Sequence, residues 1–162
     1  MKAFGQKRTS KQVISQFSMK PPNLVAFGLM ALMFAAAHAA PFEGSWTIDL
    51  RSAAEKRAKA ECGMATFVLR QDGKQVTGDH QMATVNCGRL NERGEDTVQG
   101  TARVNSAELT VTSGRNGVVV RGRATRVGSF LRWKVTEQVK PGEPKGDSSL
   151  ILWQGTLKRD RH

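Results

Sequence analysis

Few residues in this chain of 162 are equipped for chemistry, and the two cysteines, Cys62 and Cys87, come first. An isolated thiol pair can serve a redox couple, a metal or a disulfide. A redox couple calls for C-x-x-C and a closed zinc site for four ligands. The sequence has no C-x-x-C, and beyond residue 40 the only histidines are His80 and His162. The spacing therefore predicts a Cys62–Cys87 disulfide. It would close a loop of about 25 residues, a constraint on the unfolded chain of roughly 3 kcal/mol. No metal and no cofactor is expected.

His80, in "TGDHQMA", is the one seed for a Ser-His-Asp arrangement. Its neighbour Asp79 cannot orient it, because adjacent strand residues point to opposite faces. His80 is therefore expected to be a surface or loop histidine near a strand end. Glu92, Glu95 and Asp96 share one polar loop and read as solvated carboxylates rather than an acid–base pair. No glycine-rich phosphate loop follows a strand. The chain is read as non-catalytic.

Charge is the other chemical resource. Lys and Arg number 25 against 14 Asp and Glu, a formal net charge of +11. Lys2, Lys7, Arg8, Lys11 and Lys20 meet no acid before residue 40, which leaves 20 basic against 14 acidic residues after it. That surplus is moderate and lacks the density of a nucleic-acid arm. Within it, Arg121, Arg123, Arg132 and Lys134 alternate with apolar residues along two adjacent segments and make one basic face. Aromatic residues do not interleave with them on that face, so nucleic acid is not an expected partner.

The N-terminus dictates where these groups work. Lys20 precedes an apolar run from Leu24 to Ala37, broken only by Gly28, and Ala37-His38-Ala39 supplies small residues before a cut. Residues 1–39 read as a secretory signal cleaved before Ala40, with Met19 as an alternative start. A retained anchor is the rival, but it needs about 20 apolar residues and the run is shorter. No cysteine stands at the junction for a lipoprotein anchor. Export to the periplasm or medium makes the disulfide chemically favourable, and the cleaved protein would not be embedded in a membrane.

Residues 40–162 are long enough for one domain. "GSWTIDL" alternates as a first strand. "SAAEKRAKAE" is the one helical candidate, with a Ser52–Glu55 capping box, a Glu55/Lys59 pair and an end near Cys62-Gly63. From Ala65 on, strand patterns alternate with turn signals: Asp72-Gly73, the loop "NCGRLNERGED", Asn105-Ser106, Gly114 to Gly117, Gly128-Ser129 and "PGEPKGDSS". "LILWQGTLK" reads as the last strand. A type II′ turn at Gly128-Ser129 pairs Val127 with Phe130, Ala124 with Trp133 and Gly122 with Val135. That register buries Val118, Val120, Leu131, Trp133 and Val135 and leaves the basic face wet. About eight strands with short connections predict an all-β antiparallel up-and-down barrel, with a β-sandwich as the alternative and one short helix after the first strand.

Gly44-x-Trp46 at the head of the first strand of such a barrel resembles the calycins: lipocalins, avidins and fatty-acid-binding proteins. The resemblance implies that Trp46 closes one end of the barrel beneath a cation near the last strand, Lys158 or Arg159. The chain departs from the group in having no Tyr and a single helix, so the resemblance implies architecture and no particular ligand.

Two functions follow as expectations. One is an exported binding protein for a small apolar or amphipathic ligand held inside the barrel by Trp46, Phe67, Leu69, Leu109, Val120, Leu131 and Trp133. The other is an envelope interaction protein with a filled barrel. Its basic face, Arg121, Arg123, Arg132 and Lys134, would bind anionic lipid, polysaccharide or an acidic protein.

Overall fold

The computed structural model describes residues 40–92 and 94–161. Residues 1–39, expected to be a secretory signal, and the alternative start at Met19 lie outside the described residues. Among those described, no helix is long and apolar enough to cross a membrane.

The alternating patterns become strands, in the order β1 (Gly44–Asp49), α1 (Ala53–Arg57), β2 (Cys62–Asp72), β3 (Gln75–Val85), β4 (Leu90–Asn91), β5 (Val98–Ala102), β6 (Ser106–Thr112), β7 (Val119–Val127), β8 (Phe130–Lys140) and β9 (Gln154–Arg159). Apart from the two-residue β4, which lies on β3, each strand pairs antiparallel with the next, and β9 returns to β1 through Trp46 opposite Arg159 and Thr47 opposite Lys158. The sheet is therefore a closed eight-stranded up-and-down barrel, and closure rules out the sandwich. Pairing every strand on both sides leaves no open edge in the barrel wall.

The β7–β8 hairpin shows why the register is firm. Gly128 takes φ 58°, as the first centre of a II′ turn demands. Val127 meets Phe130, Ala124 meets Trp133 and Gly122 meets Val135. Past Gly122 two register shifts bend the hairpin, so Arg121 faces Glu137 and Val119 faces Lys140. At the β2–β3 hairpin the two central residues are Gly73 and Lys74, one position on from the Asp72-Gly73 signal, because Asp72 still pairs with Gln75.

Two elements are shorter than their sequence patterns. The helix keeps its capping box, with Glu55 N–H on Ser52 Oγ at 3.3 Å and Ser52 N–H on Glu55 Oε2 at 2.6 Å. It ends at Arg57, well before Cys62, because it buries nothing and Lys59 turns to φ 55°. Lys59 thus lies outside the helix and cannot make the helical pair with Glu55. The last strand begins at Gln154; Leu150, Ile151 and Leu152 are buried without joining the sheet.

Antiparallel pairing sorts the connections to two ends. The tip end carries Ala40 to Glu43, the hairpin turns near residues 73–74, 103–105 and 128–129, and residues 160–161. The loop end carries α1, the Cys62–Cys87 disulfide, residues 86–92 and 94–97, and the long segment 141–153.

Candidate functional site

Inward-facing strand positions converge on the barrel axis. Trp46, Phe67, Leu69, Leu109, Val120, Leu131 and Trp133, the residues predicted to line a cavity, are all buried in one apolar cluster. The Phe67 ring centroid lies 5.2 Å from that of Trp133 and 4.6 Å from that of His80. Glycines on the wall make room for these rings. A Cβ on Gly122 would overlap the Trp133 ring, and one on Gly155 would lie 2.9 Å from Ile48 Cδ1. Large side chains thus pack into space that small ones leave, which is how a barrel of this size fills.

The tip end is closed around Trp46. Its indole Nε1–H donates to Phe42 O at 2.8 Å, and Phe42 is itself buried. Arg159, opposite Trp46 in the β1–β9 register, has its guanidinium carbon 5.6 Å from the ring centroid and donates to Glu43 O at 2.8 Å. A second cation, Arg126 from β7, stands closer, at 4.8 Å, and also donates to Gly128 O. Lys158 pairs with Thr47 one residue earlier and lies exposed on the outer side. Strand alternation therefore selects Arg159 over Lys158, and it adds Arg126. That residue shares the inward parity of Val120, Gly122 and Ala124, which is the signal that would have found it.

The loop end is closed by the segment that reads as strand. Asn91 Nδ2 donates to Leu150 O at 3.2 Å, Trp133 Nε1 to Leu152 O at 2.6 Å and Ser113 Oγ to Ser149 O at 2.7 Å. Leu152 N–H donates to His80 Nε2 at 3.2 Å. Outside these, Asn116 Nδ2 holds Asp147 O at 3.0 Å, and Arg115 is paired with the Asp147 carboxylate at 3.0 Å. His80 is therefore an interior residue of β3, not the surface histidine expected, because its position shares the inward face with Val76. Burial pushes its pKa down to about 3. The neutral ring accepts at Nε2 and so carries its proton on Nδ1. His80 Nδ1 and Asn91 Oδ1 have no protein partner beneath the segment.

Cys62 and Cys87 are joined, with Cα atoms 5.3 Å apart. The bridge ties the start of β2 to the residues just beyond β3.

On the outside, β7 and β8 present the basic face. A cleft of about 580 Å³ opens there between Arg123, Thr125, Arg132, Lys134 and Thr136. Arg123 donates to Glu108 at 2.7 Å, and Arg121 is paired with Glu137. Among the described residues Arg132 and Lys134 have no carboxylate partner. The four predicted cations are thus two compensated and two available.

Comparison with protein-family models, curated proteins and solved structures returned no match. Geometry alone therefore defines the class: a closed, disulfide-bridged, eight-stranded antiparallel barrel, capped at both ends, whose architecture is compatible with the calycins.

Proposed function

We propose that this is an exported, calycin-like, non-catalytic interaction protein that binds an anionic component of the cell envelope on the outer face of β7 and β8. The cleft between Arg132 and Lys134 carries the reading. Two cations with no carboxylate partner among the described residues, beside the Thr125 hydroxyl, offer charge-assisted hydrogen bonds to phosphate, sulfate or carboxylate groups. The packed interior argues for a surface role, and the oxidised cysteine pair supports export. The test is retention on immobilised dextran sulfate across a salt gradient. The parent protein should elute late and Arg132→Glu/Lys134→Glu early. Equal elution of the two would sink the proposal.

A second reading, a small apolar or amphipathic ligand inside the barrel, is favoured by the two unpartnered polar atoms beneath residues 150–152. They mark the loop end as the place where the packing is least satisfied and a mouth could open. Quenching of tryptophan fluorescence by fatty acids would support it, and an unchanged spectrum across the series would remove it.

A further inference from the structure

We infer that the anionic partner is a membrane surface, met by the tip end, where exposed apolar side chains stand in front of the cations. This rests on the anion-binding reading above and adds the identity of the partner.

The tip end exposes three large apolar residues on neighbouring hairpins. Val104 is 83% exposed, Val127 42% and Phe130 38%. Val127 and Phe130 face each other across the β7–β8 turn, and Arg126 N–H bonds Asn105 O at 2.9 Å, which brings the Val104 hairpin alongside. Cations stand beside and behind this apolar front. Lys158 is the register partner of Phe130, and Arg132 follows two positions along β8 on the same outer face. The nearby carboxylate of Asp160 is occupied by Ser45 Oγ at 2.6 Å and Thr47 Oγ1 at 2.9 Å.

The spacing matches a bilayer boundary. Two residues along a strand span about 7 Å. An interfacial element buries its apolar face about 5–10 Å into the headgroup and acyl boundary. With Phe130 and Val127 at that depth, Arg132 sits at the level of the phosphates and Lys134 faces the diffuse layer beyond, while Lys158, level with Phe130, carries its ammonium to the headgroups on a long flexible stem. A soluble polysaccharide or acidic protein segment meets the same cations but offers no hydrocarbon layer for three separate hairpin-tip side chains.

The test uses the protein recovered from the periplasm or medium, in sedimentation with vesicles of phosphatidylcholine alone or mixed with phosphatidylglycerol, and in parallel on dextran sulfate. Parent protein should bind the mixed vesicles and not the neutral ones. Val127→Ser/Phe130→Ser should bind mixed vesicles about tenfold more weakly and dextran sulfate as well as the parent. Separately, Val104→Trp should add blue-shifted emission when mixed vesicles are present. Undiminished vesicle binding by the serine variant, or its equal loss on both supports, would overturn the membrane inference while leaving the anion reading intact. Parent-like binding of Arg132→Glu/Lys134→Glu to both supports would instead overturn the anion reading itself.

Discussion

His80 sits where a charge cannot be tolerated. It is enclosed by the Phe67 ring, and no acidic group offsets its desolvation, which is the sole cause of its low pKa. The unfolded chain takes up a proton below its ordinary pKa of 6.5, while the folded protein does so only near 3. Stability is therefore complete above pH 6.5 and is lost as pH falls from there toward 3. By pH 4.5 the loss from this group alone amounts to about 3 kcal/mol. Urea midpoints measured between pH 7 and 5, where most carboxylates stay ionised, should fall for the parent and stay flatter for His80→Gln. Equal slopes would show that His80 does not carry the linkage. Trp46 makes a second case at this scale. It was conspicuous in the sequence because Gly44 precedes it at the head of a strand, whereas His80 was hidden by the polar neighbours Asp79 and Gln81 and by Gly78, which adds no apolar side chain to the inward pattern. Trp46→Ala should cost about 3–5 kcal/mol in chemical denaturation, since it empties the tip end and leaves Arg126 and Arg159 without the indole; a loss under 1 kcal/mol would argue that the end is closed by other groups.

Elements were legible in proportion to their alternation. The β7–β8 register followed from one glycine turn and a two-faced pattern, because a slip of one residue would bury Arg121, Arg123, Arg132 and Lys134 together. "LILW" was misleading for the same reason. Its apolar run fits a buried strand, but beyond one backbone bond, from Val135 N–H to Trp153 O at 2.8 Å, its long-range hydrogen bonds go to side chains of Asn91, Trp133 and His80, contacts distant in sequence that no local pattern announces. This reliance on a few side chains makes the segment sensitive to the loss of any one of them. Trp133→Phe keeps the ring packing and removes the donor to Leu152 O. Amide exchange at residues 150–152 should then quicken by about tenfold, with β5 and β6 unchanged. Uniform acceleration across the barrel would show global destabilisation instead. The disulfide acts on the element before it. Because it closes the β2–β3 hairpin, Cys62→Ser/Cys87→Ser should lower unfolding free energy by about 3 kcal/mol, mostly by freeing the unfolded chain, and a change within 0.5 kcal/mol, about the scatter of neutral surface substitutions, would count against that account.

At the scale of the whole molecule, the barrel exists only when β9 meets β1, a contact between the two ends of the described chain. The eight-strand count was readable from turn spacing, but closure depends on pairing at long range. The same holds for the interior: alternation says which side chains point inward and does not say whether they meet. Here Phe67, Trp133 and His80 meet at the centre over Gly122. A packed interior makes a prediction that a ligand cavity does not. Phe67→Ala should cost about 3–5 kcal/mol and leave an apolar void. Such a void, bordered by Trp133 and by the edge of the His80 ring, has the shape to take up a small aromatic molecule. Saturating benzene should therefore raise the melting temperature of Phe67→Ala, because a ligand bound only by the folded state stabilises it by mass action. The parent protein should melt at the same temperature with and without benzene. If benzene stabilised the parent as well, space would already exist among these side chains, and the apolar-ligand reading would displace the surface reading.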